Sequence, residues 1–487
     1  MAQRATIVGS GPNGLAAAVA LARAGFAVRV VEAASTIGGG VRTAALTLPG
    51  FHHDVCSAVH PAALSSPFFR AFGLRDRIDW VRPDASYAQP LDGGRAAIAW
   101  RDLDRTAAGL GRDGRAWRAV VEPLGTHLDD LVDFTGNQLL RWPRHPLTVL
   151  RFGMRALQVG TPLTGITFRT PEAAALLSGV LAHANTRMPS LGAAASGLFL
   201  AAHAHTADGW SFPRGGAQTI ADALAADLRA HGGEIETGVR VHDITTLDVG
   251  DLAGGDLLLL DTSPRLLLTH PGLPADYARA VRTYRYGAAA AKVDFALDGP
   301  VPWEHPDVAA SPTVHLGGTA AEVAESENAV AAGRVSSAPY VLAVQPTILD
   351  PSRAPAGSHI LWAYMHVPAG SRFDPTEAIT AQVERFAPGF RRRIRAVHAT
   401  TAVDQEAYNP SDIGGDILGG AFSVTQAIRR PIVSTTPWRT PLRGIYLASA
   451  ATPPGPGVTG MPGWLAARQA LHDAGSPVEL ADLFPGR

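Results

Sequence analysis

Residues 4–33 read RATIVGSGPNGLAAAVALARAGFAVRVVEA. A short β-branched run comes first, then a glycine-rich turn, an alanine-rich stretch of helical length, and a second β-branched run ending in Glu32. That order predicts a strand–turn–helix–strand unit. Gly9, Gly11 and Gly14 stand at the spacing that a dinucleotide-binding turn requires. Gly9 permits the tight turn, Gly11 keeps a Cβ away from a pyrophosphate, and Gly14 allows the helix to pack closely on the sheet. Phosphates then meet the free N–H groups and the positive end of the helix dipole. Glu32, at the end of the second strand, is placed to accept hydrogen bonds from an adenosine ribose, and its charge disfavours a 2′-phosphate.

The same glycine spacing occurs twice more, and context separates the copies. In GLGRDGR the glycines Gly109, Gly111 and Gly114 follow a polar stretch with no strand before them. This copy reads as a loop capping the next helix. Gly455, Gly457 and Gly460 follow the apolar run IYLASA and precede a helical segment, with too little chain beyond for a second full βαβ unit. They read as another helix N-terminus directed at the same ligand.

Farther from the opening unit, the chain alternates between two textures. Helical periodicity dominates from about residue 112 to 205, turn–helix–strand order returns over 212–244, and β-like runs separated by Pro and Gly prevail from 286 to 368. The fold expected is therefore α/β: a Rossmann-like nucleotide-binding domain assembled from discontinuous segments, beside an α+β substrate domain with an antiparallel sheet and a helical insertion. The expected boundaries are 1–80, 205–270 and 435–487 for the nucleotide domain. Segments 81–204, mostly helical, and 271–434, mostly antiparallel sheet, make the substrate domain.

Composition narrows the function. The 487 residues are 46% hydrophobic and 17% charged, with a formal net charge of −1, which gives no overall electrostatic reason to expect nucleic acid or an anionic membrane as the main partner. A single cysteine, Cys56, excludes an intrachain disulfide, a CxxC redox pair and any multi-cysteine metal site, and fits a reducing, cytoplasmic compartment. No stretch reaches the roughly 20 apolar residues of a membrane-spanning helix. His203, His205 and Asp208 in HAHTADGW alternate as if two imidazoles shared one face of a strand, but no third strong ligand accompanies them and no metal site is expected. The basic, amphipathic stretch RWPRHPLTVLRFGMRALQVG followed by TPLTGITF reads as a helix over the substrate cavity, with peripheral contact to a membrane as the alternative.

Directly after Glu32 comes AASTIGGGVRT and then LPGFHHDVCSAVHP. With this second glycine cluster the chain resembles the FAD-dependent oxidoreductases of the phytoene desaturase and flavin amine oxidase superfamily, in particular the phytoene dehydrogenase-related branch. The segments FPRGGAQTIADALA, YGAAAAKVDFALDGPVPW, PTVHLGG, QPTILDPSRAPAGSH and GIYLASAATPPGPGVTGMPGWLAA carry the resemblance along the chain. It implies FAD as cofactor. It places Gly9, Gly11, Pro12, Asn13, Gly14, Glu32, Ala33, Gly39, Gly40, Arg42 and Thr43 around the AMP and pyrophosphate, and Val241 against the adenine. Ser57 and Thr262 join them as cofactor contacts, and Ala450, Gly457, Val458 and Thr459 approach the isoalloxazine ring.

The resemblance also bears on the one lysine of the chain, Lys292, in AAAAKVDF. In flavin amine oxidases a lysine on a substrate-domain strand reaches flavin N5 through a water, and Lys292 matches that position. An ammonium is compact and can lose its proton when desolvated, whereas a guanidinium is planar and always charged. His315 and His366 lie on expected strands of the substrate domain, where they could face the flavin, and join Lys292 as catalytic candidates. The reaction expected is removal of a hydride at flavin N5 from a largely apolar small molecule, isoprenoid or polyene-like, with oxygen or a quinone accepting the electrons. An amine or alcohol oxidase, a saturase or isomerase of the same family, and a non-catalytic flavin-binding protein are the alternatives.

Overall fold

The structure, a computed structural model, describes residues 3–486. Its first sheet is parallel throughout, with strands in the order Ile445–Leu447, Leu257–Leu260, Arg4–Val8, Ala27–Glu32 and Glu234–Thr237. The opening sequence unit thus supplies two central strands, and their neighbours come from residues more than 200 positions away. Both faces of this sheet are covered, as the buried runs Ala5 to Val8 and Leu257 to Leu260 require.

The helix Pro12–Arg23 follows the first strand. Pro12 occupies its first turn, where a missing N–H costs nothing, and it ends at Ala24 before Gly25 in the left-handed region. Ten of its residues are buried, because it lies between the sheet and the helices Gln218–Ala230 and Met461–Asp473. Small side chains set that approach: a Cβ on Gly463 would stand 1.8 Å from the carbonyl oxygen of Asn13.

The second sheet has seven strands, ordered Ile394–Thr400, Ala289–Leu297, His359–Val367, Val341–Val344, Thr313–Leu316, Ala85–Leu91 and Arg95–Trp100. Every pairing is antiparallel except that of Thr313–Leu316 with Ala85–Leu91. The last two strands fall in the stretch read as mostly helical. They form a hairpin through Asp92-Gly93-Gly94, with both glycines at positive φ, so the turn chemistry that marks the hairpin was present in the sequence. One face of this sheet packs under the helix Thr376–Phe386; the other meets the helical layer that includes Gly114–Thr126, Pro171–Leu181 and Leu191–Ala204.

His203 and His205 do not lie on a strand, because the helix Leu191–Ala204 runs to its end there. His203 bonds the Phe199 carbonyl and Ser65 Oγ, and His205 bonds the Trp100 carbonyl and the Trp117 indole N–H. Asp208 pairs with Arg75 and Arg82. The three side chains point to separate partners, and among the described residues no group of three or more His, Cys, Asp or Glu could hold a metal ion.

Candidate functional site

A cavity of ≈ 1060 Å³ lies between the two sheets. Its dinucleotide end is made by chain leaving the carboxyl ends of the parallel strands: residues 8–13, 31–34, 239–242 and 261–263, joined by 39–42 and 449–459. This is where ligands bind in open parallel sheets. All the cofactor residues expected from the sequence line the cavity except Gly14 and Thr43. Gly14 lies beneath the turn, where an added Cβ would sit 2.2 Å from the Gly9 carbonyl oxygen. Thr43 donates its hydroxyl to Asp54 Oδ1 at 2.7 Å and accepts from the Gln218 N–H, tying the second glycine cluster to a neighbouring helix.

Asp261 is the organising side chain of this end, and sequence reading passed over it in favour of Thr262. It follows the buried strand Leu257–Leu260, and its Oδ2 accepts the Gly14 N–H at 2.8 Å. A Cβ on Gly11 would lie 2.7 Å from that same oxygen, so Gly11 is demanded by the carboxylate behind it. Burial, with nearby Glu32 adding to it, pushes the Asp261 carboxyl up to about 7. Asp412, also on the cavity wall, is raised to about 7, again chiefly by burial.

Glu32 is held for recognition by several donors. Ser10 gives its N–H and hydroxyl to Oε2 at 2.9 and 2.6 Å, Ala34 gives its N–H to Oε1, and Arg42 lies 3.0 Å from Oε1. The Arg42 guanidinium also donates to the Thr36 carbonyl and the Tyr408 hydroxyl. On the opposite side, Gly457 has φ of +120°, a conformation that L side chains rarely adopt, and a Cβ there would meet Thr459 Cγ2 in ordinary contact at 3.7 Å. A Cβ-free backbone at the turn, a helix N-terminus behind it, a fixed carboxylate at the end of the second strand and a glycine loop at positive φ together fit an adenine dinucleotide. Asn13 lines the same edge, and its Oδ1 has no partner within the protein.

The far end of the cavity has different walls. Phe152, Phe199, Trp210, Leu342, Trp362 and Tyr364 line it, with His183 among them. His183 was not singled out in the sequence; it sits in a short 3-10 turn just after the helix Pro171–Leu181, and only the packing of that turn aims it inward. Burial lowers its imidazole to about 3, so it is neutral across the ordinary range.

The three expected catalytic side chains stand behind this wall rather than on it. His315 bonds His183, Nε2 to Nε2, at 2.8 Å and is fully buried. His366 is bound through Nδ1 to the Glu327 carboxylate and packs against Tyr364. Lys292 donates to the carbonyl oxygens of Asp54 and Val55, at 2.8 and 3.0 Å, and to Asp294 Oδ2 at 2.6 Å. All three ammonium donors therefore have protein acceptors. The bonded carbonyls belong to the turn leading into Cys56 and Ser57, both of which line the cavity. Alternation along His359–Val367 places Trp362, Tyr364 and His366 on one face, but only the first two reach the opening.

The sequence pattern of flavin containing amine oxidoreductases matches residues 13–467. A rat protein named pyridine nucleotide-disulfide oxidoreductase domain-containing protein 2 is 24% identical over 551 residues, covering 96% of this chain and 93% of its own. The phytoene dehydrogenase of Streptomyces griseus is 27% identical over 512 residues, covering 93% of this chain and 91% of its own. Among solved structures, a putrescine oxidase with three substitutions superposes with a TM-score of 0.58 at 15% identity, over 97% of this chain and 98% of that one.

Proposed function

We infer, for a chain that belongs to the flavin-containing amine oxidoreductase family and is an FAD-dependent oxidoreductase, that the substrate is a largely apolar small molecule of isoprenoid or polyene type. FAD, when bound, supplies the two-electron acceptor; the protein holds it and shapes what meets it. Gly9 to Asn13 and Gly39 to Arg42 would hold the pyrophosphate, Glu32 the ribose, and Ala450 with Gly457 to Thr459 the ring.

One observation carries the substrate class. The carboxylates lining the cavity, Glu32, Asp261 and Asp412, belong to the cradle, with Asp412 close enough to Asp261 to raise its pKa, while the far end is mainly apolar and aromatic around a neutral His183, and its polar groups, Thr135, Asn137, Ser196 and Thr313, are uncharged. A cationic substrate would lose its hydration there without a carboxylate in return. An apolar chain loses nothing and buries its surface. The low identity to a named phytoene dehydrogenase supports the same direction.

In this reading Phe152, Phe199, Trp210 and Leu342 exclude water and orient the chain, and His183 offers one neutral hydrogen-bonding edge for a polar terminus. Lys292 acts as a positioning residue, holding the Asp54–Val55 turn. The disulfide chemistry in the rat relative's name has no counterpart here, where the sequence holds one cysteine.

A second reading, oxidation of an amine, is favoured by Trp362 and Tyr364, whose rings meet edge to face at 5.2 Å and 87° and could flank a small ammonium group. Anaerobic mixing of the purified holoprotein with an acyclic isoprenoid in detergent, and separately with a primary aliphatic amine, distinguishes the two. Bleaching of the visible flavin band by the isoprenoid alone is expected. Bleaching by the amine alone would replace the first reading with the second.

A further inference from the structure

The helix Pro146–Val159 is one-sided in an unusual direction. Thr148, Phe152, Ala156 and Val159 are buried, whereas Leu147, Leu150, Met154 and Leu157 form a stripe that faces solvent, Leu147 at 68% exposure. The flanking segments extend it, with Trp142 86% exposed before the helix and Ile166, in the short helix Thr164–Thr167, 81% exposed after it. A folded protein rarely leaves a contiguous apolar band uncovered unless something docks there.

Charge identifies what docks. From Asn137 to Pro171 the sequence has five arginines, Arg141, Arg144, Arg151, Arg155 and Arg169, and no Asp or Glu, in a chain whose net charge is −1. Asp133 offsets Arg141 and stands near Arg144, but Arg151 and Arg155 flank the stripe with no acidic partner among the described residues. A second copy of the chain would set these arginines against their own equivalents across a symmetric interface, which repulsion opposes. An anionic lipid surface meets both features, taking the leucines into its interface and the arginines at its headgroups. The helix is 14 residues long, about 21 Å, too short to cross the hydrocarbon core and suited to lying along its surface.

We propose that this face docks on a phospholipid bilayer bearing anionic headgroups. The segment beneath it also walls the cavity: Phe152 points inward from the same helix, and Phe134 to Asn137 and Leu139 line the opening beside it. The docked face and the wall of the substrate end are thus opposite sides of one layer of chain. Docking is a property of the surface and stands whichever substrate the cavity takes.

Flotation of the FAD-loaded protein with phosphatidylcholine vesicles containing phosphatidylglycerol, and with phosphatidylcholine alone, tests this at physiological ionic strength. The protein is expected to float with the anionic vesicles and weakly or not at all with the neutral ones. Leu147→Ser/Leu150→Ser/Leu157→Ser, at positions already in water and with an unaltered flavin spectrum as the folding control, should lower the partition coefficient at least about tenfold. Arg151→Glu/Arg155→Glu should abolish the preference for anionic lipid. Absence of flotation, or a triple-serine variant that floats like wild type, would overturn the proposal. So would a lipid-free dimer that the triple-serine change dissociates, which would assign the face to a second copy.

Discussion

At the dinucleotide end of the cavity, the surface offered to the ligand is largely backbone, and glycines fix it because a single Cβ would collide with a carbonyl or carboxylate. At the far end it is side chain, and parts of the wall are backed by polar groups one layer deeper: His183 by His315, Tyr364 by its packing on His366, and the turn leading into Cys56 and Ser57 by Lys292. The two ends also treat charge oppositely. Burial raises the acids of the cradle and lowers the imidazoles of the wall. A backbone cradle has little freedom to vary, whereas a layered wall can change its outer residues while the supports remain. In the proposed function, this separates the part that holds the cofactor from the part that meets the substrate.

The largest effect expected from breaking this contrast lies at Lys292. Lys292→Met leaves Asp294 buried with its cation removed, and should cost roughly 3–5 kcal/mol of stability, seen as a lower denaturation midpoint. Flavin reoxidation per folded molecule should stay near the wild-type rate; a slowed reoxidation in fully folded variant would move the ammonium to the reacting atoms. Gly14→Ala attacks the cradle instead. Its Cβ meets the Gly9 carbonyl oxygen at 2.2 Å, an overpacking worth up to about 3 kcal/mol and hence roughly 100-fold in FAD affinity, measurable from flavin retained after gel filtration.

A smaller effect is expected from pH. The folded-state pKa of Asp261 is raised to about 7 from 3.8, so between these values the folded protein holds a proton that the unfolded chain has released. The stability this contributes is present at low pH and is lost as pH rises through about 7. Ionisation also puts a negative charge behind the pyrophosphate turn. FAD affinity of the apoprotein should therefore fall by up to about tenfold per pH unit above 7, and Asp261→Asn should flatten the profile in a fluorescence titration. The smallest change expected is His183→Phe, which removes the bond to His315 and should cost about 1–2 kcal/mol in a denaturant melt. Because His183 is lowered to about 3, that variant should leave the shape of the activity profile between pH 5 and 8 as it was.

How far the sequence could be read follows from the same contrast. Gly9, Gly11, Glu32 and Gly457 mark their own places because backbone geometry permits few alternatives, and periodicity placed the strands from Arg4 to Glu32 and from Ala289 to Val367. The hairpin Ala85–Trp100 was missed although Asp92-Gly93-Gly94 marks its turn, because helical text on one side drew the whole segment into a helical reading. His183 carried no signal: its direction depends on a short turn whose packing involves strands more than 100 residues away. Lys292, His315 and His366 were recognised as unusual residues on the correct strands. Their depth, one layer behind the cavity, depends on how two sheets and a helical layer stack, which a linear pattern does not encode.

The helix Met461–Asp473 presses Gly463 against Asn13, and the strand Ile445–Leu447 completes the parallel sheet. During synthesis, then, the amino-terminal turn lacks the neighbours that brace it until the helix Met461–Asp473 has been translated. A cradle completed in this way is expected to capture flavin only after that helix has docked, so that a yellow polypeptide is one whose distant parts have met.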